Sequence, residues 1–311
     1  MRPKRNPVDL TFSLVSGVAS LSVIALIVGI LSILISESSL SIERFGVWRF
    51  ISSTDWNPVR DSFGAATSLF GTAVTTGLSL AIAVPVAIGI AIFVTEVAPA
   101  FLKGPIGVAI ELLAAIPSII YGMWGLFTLT PIMADTVEPA LQKSLGEFPL
   151  LGMLFKGTPM GIDLLTASVI LSIMIIPFTA SISRDAFNLT PAIMKESAYA
   201  LGATKWEVVK NVVIPYSKLS VFGGIVLSLG RALGETMAVA FVLGNKHQIT
   251  ASLLDAAATI TVTLANEFTE ADTDIYLSSL FYLALILFVM SFVTLATAKF
   301  FILKAEKGVA P

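Results

Sequence analysis

The sequence predicts an all-α protein, a polytopic transmembrane helical bundle of six spans. Two observations predict it. Of 311 residues, 56% are apolar and only 13% charged, whereas a soluble domain carries about 25% charged residues; mean hydropathy is +0.90. The apolar residues also fall in six blocks, each about 20 residues or longer, enough helix to cross ~30 Å of hydrocarbon. Composition excludes several chemistries as well. With no cysteine there is no disulfide, thiolate catalysis or cysteine metal site. A single histidine, His247, leaves no material for a zinc site or a histidine relay.

Hydropathy places the spans near 10–35, 68–94, 106–130, 162–183, 218–243 and 277–302. The first follows Met1-Arg-Pro-Lys-Arg5, a basic start that also opens signal peptides. Its apolar run is too long for one, and no small-x-small site follows Ile35, so it reads as a retained helix. In the second span Thr72, Thr75, Thr76 and Ser79 either line a polar path or, more commonly, bond their own backbone. Pro85, Pro117 and Pro177 predict kinks. Segment 131–161 holds Pro131, Pro139, Pro149 and Pro159 and is predicted to be irregular, with one short helix near Val137–Leu145.

Charge sets the orientation. With the N-terminus inside, the inner segments hold twelve lysines and arginines against six outside, and Arg231 is left within a span. This bias favours both termini in the cytoplasm. The stretch Glu267–Asp274, with four acids and no base, then lies outside. Trp48, Trp56, Trp124 and Tyr276 fall near predicted outer interfaces and Tyr216 near an inner one, either as interfacial anchors or as core.

The inner segment 184–217 is long, polar and helical in pattern. Thr190 before Pro191 reads as a capping hydroxyl followed by proline in the first turn. Gly202 supplies a C-terminal turn, Thr204 caps a second short helix carrying Trp206, Val209 and Val213, and Pro215 ends it. Such a hairpin either lies flat on the leaflet or stands out to meet a partner. The glycine break and the small side chains of its first helix favour the partner.

Glu196-Ser-Ala198, Gly202 and Ile214-Pro215 resemble the coupling-loop signature of bacterial ABC importer permeases, with Ser197, Val212 and Ile214 as mild departures. The resemblance extends over essentially the whole chain. Ser228-Leu-Gly-Arg-Ala-Leu-Gly-Glu-Thr-Met-Ala-Val239 and Leu113-Ala-Ala-Ile-Pro-Ser-Ile-Ile-Tyr-Gly-Met-Trp124 are similar to phosphate-specific permeases of the PstC type, as are Asp55-Trp-Asn-Pro58 and Ile92-Phe-Val-Thr-Glu96. The resemblance implies an ABC importer permease fold. Residues 1–66 would form the N-terminus, first helix and outer segment, 67–302 the permease core of five helices, and 303–311 a cytoplasmic tail. It implies a phosphate import subunit of the inner membrane, working with a second permease of the PstA type, a PstB-like ATPase dimer and a PstS-like extracytoplasmic phosphate-binding protein. Glu196, Ala198, Gly202 and Pro215 would couple to the ATPase. No cofactor or metal is expected on this chain, because ATP and magnesium would sit on the ATPase.

Arg231 lies about 12 residues past a helix entry near Leu219, or ~18 Å deep. An arginine there costs roughly 2.5–3.5 kcal/mol on insertion scales, so it is expected to face the bundle interior or a wet pathway rather than lipid. Glu235 follows at i+4, on the same face if the helix continues. Base before acid is the weaker order for helix stabilisation. The functional reading therefore outweighs a self-neutralising pair: the guanidinium fork suits phosphate oxygens, and Glu235 would prevent over-tight holding. Gly223, Gly224, Ser228, Gly230 and Gly234 keep this helix thin, for a partner or for packing within the chain. Glu111 is expected to help anchor the coupling loop.

Rival functions leave less trace. No G-x-x-x-x-G-K-[ST] loop, G-x-S-x-G elbow or H-E-x-x-H occurs, so an ATPase, a serine hydrolase or a zinc protease is not expected. A secondary transporter would show inverted repeats and broken helices, neither evident in the sequence. An ABC permease for another oxyanion, molybdate or sulfate, is the nearer alternative.

Overall fold

The computed structural model describes residues 7–148 and 151–307. Arg2, Lys4, Arg5 and Pro149, and the tail beyond Lys307, lie outside the described residues. Among those described there is no strand, only isolated bridges at Asn57–Ser62 and Gly244–Ala257.

Helix α1 spans Pro7–Phe45, longer at both ends than the hydropathy block. Its apolar stretch is wholly unburied within the chain, as a lipid-facing helix would be. It packs chiefly on α14, Asp274–Lys307. Hydroxyls make that seam: Ser41 Oγ lies 3.2 Å from Ser279 Oγ, and Ser278 donates to the Glu37 carbonyl at 2.6 Å. In lipid, where apolar contact brings no gain over the solvent, such small polar contacts decide which helices pair.

The core is the contact between α3, Ala66–Ile92, and α8, Leu164–Asn188. Small residues (Ala83, Ala87, Ala167, Ala180) are fully buried and let the backbones approach, while Ile170, Leu171, Met174 and Ile175 fill the space around them. Of Thr72, Thr75, Thr76 and Ser79 on α3, three turn their hydroxyls onto their own helix, while the Thr76 hydroxyl is buried with no hydrogen-bond partner among the described residues. Thr72 donates to Ser68 O, Thr75 to Gly71 O and Ser79 to Thr76 O, which favours backbone bonding over a polar path. Helix α8 starts at Asp163, whose Oδ1 accepts from Thr166 N at 2.8 Å. Pro85 and Pro177 lie within continuous helices.

Five helices are long and apolar enough to span a membrane, and a sharply bent helix pair brings the count to six when taken as one broken span. The block read as one span over 106–130 is α4, Ala100–Ala114, and α5, Ser118–Trp124, bent by 88° at Pro117. Proline cannot follow a helical residue comfortably, and Pro117 becomes the first residue outside α5. Beyond α5, Pro131 and Pro139 do not end the helix, contrary to the sequence expectation for that part of 131–161, whereas residues 146–148 and 156–161, with Pro159, carry no helix as expected. The run continues through α6, Thr130–Ile132, to α7, Glu138–Leu145, by way of π-turns at Gly125–Leu129 and Met133–Val137. A wider π-turn before each proline absorbs the missing N–H that an α-turn would need. The short helix expected near Val137–Leu145 is α7.

At the end of the bundle opposite segment 184–217, Trp56 and Tyr276 are core rather than interfacial, whereas Trp48 is 83% exposed. Trp56 Nε1 and Tyr276 Oη each donate to Glu267 Oε2 at 2.7 Å, and His247 Nε2 lies 3.0 Å from Glu267 Oε1. The His247 ring stacks on Trp56 at 5.4 Å. Burial pushes the Glu267 carboxyl up, but these donors pull it down further, so it lies below the ordinary value. A carboxyl held low contributes stability at neutral pH, lost only as pH falls below 4.5 through its folded value. Glu267→Gln should cost about 2 kcal/mol, because a buried amide cannot accept from all three donors. Thermal unfolding in detergent at pH 7 measures it; an unchanged midpoint would deny the carboxylate its structural role.

Candidate functional site

The polar segment leaves the core as α8 overruns its span to Asn188. Helix α9, Ala192–Ala200, follows, with Pro191 rather than Thr190 at its N-cap and no side-chain cap. The Thr190 hydroxyl is buried without a hydrogen-bond partner, so the predicted Thr190 cap does not form. Gly202, by contrast, does what its residue type suggests. At φ +86° it is left-handed, its N–H donates to Tyr199 O, and Ala203 N donates to Ala198 O at 3.1 Å. Those two bonds form a Schellman ending, which requires a residue able to adopt positive φ.

Helix α10, Lys205–Val208, begins with a full capping box. Thr204 Oγ1 accepts from Glu207 N, and Glu207 Oε2 accepts from Thr204 N at 2.8 Å. Pro215 does not terminate it. A π-turn at Val209–Val213 carries the chain into α11, Ile214–Leu233, with Pro215 in its first turn, where no intrahelical donor is needed. One helical rod therefore runs from the hairpin tip into the bundle.

The hairpin rests on the bundle through small and branched residues, Ala198 and Ala203 against Ala91, Phe187, Val208 and Val213. Its outer face is apolar and uncovered: Leu201 is 89% exposed, Ile193 68% and Trp206 64%. Ile193, Met194, Ser197, Ala198, Leu201 and Val212 line a groove of about 360 Å³. Glu196 is exposed and makes no hydrogen bond or ion pair among the described residues. At the base, Arg184 donates to Glu111 at 2.8 Å and to Asp185 at 3.0 Å, so Glu111 anchors the approach to the hairpin as expected.

The interior charges depart from expectation. Helix α11 stops at Leu233, and α12, Met237–Ala240, starts after a break. Arg231 and Glu235 therefore share no helix face, and no ion pair joins them. The Glu235 carboxylate caps α12, accepting from Ala238 N at 3.2 Å, while its carbonyl accepts from Thr261 at 2.7 Å. Gly234, carrying the α11 C-cap, and the pull of that capping carboxylate account for the break.

Depth follows from register. Ser228 Oγ on α11 lies 2.7 Å from Thr179 Oγ1 on α8, about two-thirds of the way along α8 from Leu164 at ~1.5 Å per residue. One turn further along α11, Arg231 sits about midway. Its guanidinium lies over the Phe178 ring, 5.6 Å from the centroid, and its Nε is buried with no partner. No acid pairs with it among the described residues. The two breaks meet here: a side chain on Gly122 of α5 would strike Met237 O and Ala238 of α12. Tyr121 is buried beside them, within electrostatic reach of Arg231, and donates across the first break to Leu113 O at 3.0 Å. Gly224 packs on Ile182 and Gly230 on Leu295, which favours packing within the chain, while Gly223 faces open space. Phe178 and Tyr121 gave no signal of their own in the sequence beyond lying in apolar runs.

The model of the family "binding-protein-dependent transport system inner membrane component" matches residues 83–305. A phosphate transport system permease protein PstC of Mesorhizobium japonicum is 49% identical over 298 residues, covering 96% of this chain and 91% of the relative. One from Xylella fastidiosa is 53% identical over 258 residues, covering 83% and 79%. Among solved structures, a bacterial alginate ABC transporter in complex with a pentasaccharide-bound periplasmic protein shares the fold, with TM-score 0.60 at 16% identity over 92% of each chain.

Gly202→Val has no steric neighbour to meet but must hold φ +86°. It should destabilise the hairpin turn by on the order of 1–2 kcal/mol without touching the core. Amide exchange at Gly202 and Ala203 should quicken while the unfolding midpoint of the bundle stays put; equal protection in the variant would contradict the Schellman assignment.

Proposed function

From the premise that the chain belongs to the family of binding-protein-dependent transport system inner membrane components, we propose that it is the PstC-type permease subunit of an ATP-driven phosphate importer. It crosses the membrane several times and hydrolyses no ATP itself. The hairpin end faces the cytoplasm, with both termini on that side, and the Glu267 end faces outward. The hairpin, with Glu196, Ala198 and Gly202 on it and Pro215 at its root, seats in one subunit of an ATPase dimer that holds ATP and magnesium. A second permease completes the translocation path, and an extracytoplasmic phosphate-binding protein delivers the ion.

One observation carries the reading: a mid-depth arginine whose charge no acid neutralises. A guanidinium held over a phenyl ring keeps its donors in one plane, suited to two oxygens of a tetrahedral oxyanion. Glu235, engaged on the α12 amide rather than on Arg231, leaves that charge free for cargo while placing a negative group near the exit from the site. The rod Lys205–Leu233 then gives the motor a direct hold on the arginine. When ATP draws the ATPase subunits together, the hairpin moves with them, and the last turn of α11 moves with the hairpin.

Arg231→Ala should abolish phosphate uptake in cells lacking the native chain, while the four-component complex still purifies intact. Arg231→Lys should retain at most about one-tenth of the uptake, having lost the planar fork. Labelled-phosphate uptake and subunit stoichiometry measure both. Uptake that survives Arg231→Ala, or a complex that fails to assemble, would remove Arg231 from the pathway.

A further inference from the structure

We propose that the Glu96–Lys195 ion pair is the strut by which the hairpin drives α3, a positioning contact for transport that rests on the ATPase-coupled reading above. Lys195 of α9 donates to Glu96 Oε1 at 2.5 Å, with side chains 20% and 8% exposed. Among the described residues it is the only ion pair joining the hairpin helices to the bundle. The rest of the contact is an apolar seat of alanines and valines. Such contacts are non-directional and permit sliding. A largely buried charge-assisted bond holds its two ends at a fixed distance.

The position of Glu96 strengthens the case. It sits in the π-turn Phe93–Val97 that extends α3. π-turns inside helices concentrate where function needs local rearrangement. A second lysine, Lys103 of α4, donates to the Thr95 carbonyl of the same turn. The turn is thus held by the hairpin on one side and by the broken span on the other. From it α3 runs the length of the bundle along α8, and its far end reaches the Glu267 region. There Ile260 N donates to Thr72 at 3.0 Å, and Ser68 lies 3.3 Å from Thr263. A push on Lys195 therefore reaches the inner end of α3, α4 and the opposite face by a polar contact, whereas α11 meets α3 through apolar packing around Ala91 and Val221. The hairpin then has two outputs: α11 carries the arginine, and the strut carries the helix that packs along the core.

The test uses the complete transporter in proteoliposomes, with Glu96→Gln, Lys195→Met and the charge swap E96K/K195E. The readouts are stimulation of ATP hydrolysis by phosphate-loaded binding protein, ATP hydrolysed per phosphate imported, and ATPase retained on the purified permease. Each single variant should keep the ATPase bound but lose about fivefold or more of the stimulation, the range of a typical coupling between sites. The swap should recover most of it by restoring the pair, and the ATPase retained on each single variant separates a coupling defect from a structural one. Full stimulation in Glu96→Gln, loss of the ATPase from the complex, or a swap no better than the single variants would each overturn the strut. Absence of stimulation in the unmodified complex would overturn the transport reading itself, and the strut with it.

Discussion

Inside hydrocarbon every backbone N–H and C=O must find a partner within the protein, and the whole architecture turns on how this chain breaks two helices under that constraint. At the interruptions Ala115–Pro117 and Gly234–Thr236, Ala115, Pro117 and Gly234 are exposed within the chain, so this backbone needs a water-lined cavity or a partner surface beside it. Side chains meet several of the freed groups near them. Tyr121 donates to Leu113 O, Thr261 donates to Glu235 O, and the Glu235 carboxylate accepts from Ala238 N. Because the breaks pack on one another through α5 and α12, they form a single irregular patch in an otherwise helical interior, and Arg231 borders it. Irregular backbone at membrane depth is tolerated where it is buried or lines a cavity, so the breaks and the charge belong to one feature.

That feature is connected to the opposite surface by ordinary helix grammar. The capping box at Thr204 starts a rod that a π-turn carries past Pro215, so the residue types that seem to close the hairpin instead join it to the bundle. A rod of 29 residues, Lys205–Leu233, is ~43 Å long at 1.5 Å per residue, longer than the hydrocarbon is thick. It places the tip outside the membrane and Arg231 inside it on one continuous, laterally stiff element.

The sequence made much of this legible, because hydropathy and caps are local signals. Four of the six spans, the Gly202 turn, the Thr204 cap, the Glu111 anchor and a charged Arg231 within the bundle follow from residue types and short spacings. The errors have a common physical source. Pro131, Pro139 and Pro215 were expected to stop helices because proline forbids an α-turn hydrogen bond, yet π-turns ahead of them remove the need for that bond. The Arg231–Glu235 spacing predicts a shared face only while the helix continues, and whether it continues depends on Thr261 and Ala238 taking the freed groups, contacts set by tertiary structure. His247 likewise looks idle until the chain folds it onto Trp56 and Glu267. Glu96 and Lys195, separated by 99 positions, share no local pattern at all.

Magnitudes sharpen what Arg231 is for. Insertion at mid-depth costs roughly 2.5–3.5 kcal/mol. The Phe178 ring returns on the order of 1 kcal/mol as a cation–π contact. Placement in the last turn of α11, where the carbonyl ends carry partial negative charge, returns about 0.3–1 kcal/mol. Together these leave a shortfall of roughly 0.5–2 kcal/mol, which an ion pair with Glu235 would have narrowed within the chain. The fold instead spends Glu235 on the α12 amide. A residual deficit of that size suits a pathway: it is enough to favour an anion beside the guanidinium, yet small enough that the same anion leaves again without a deep well to climb from.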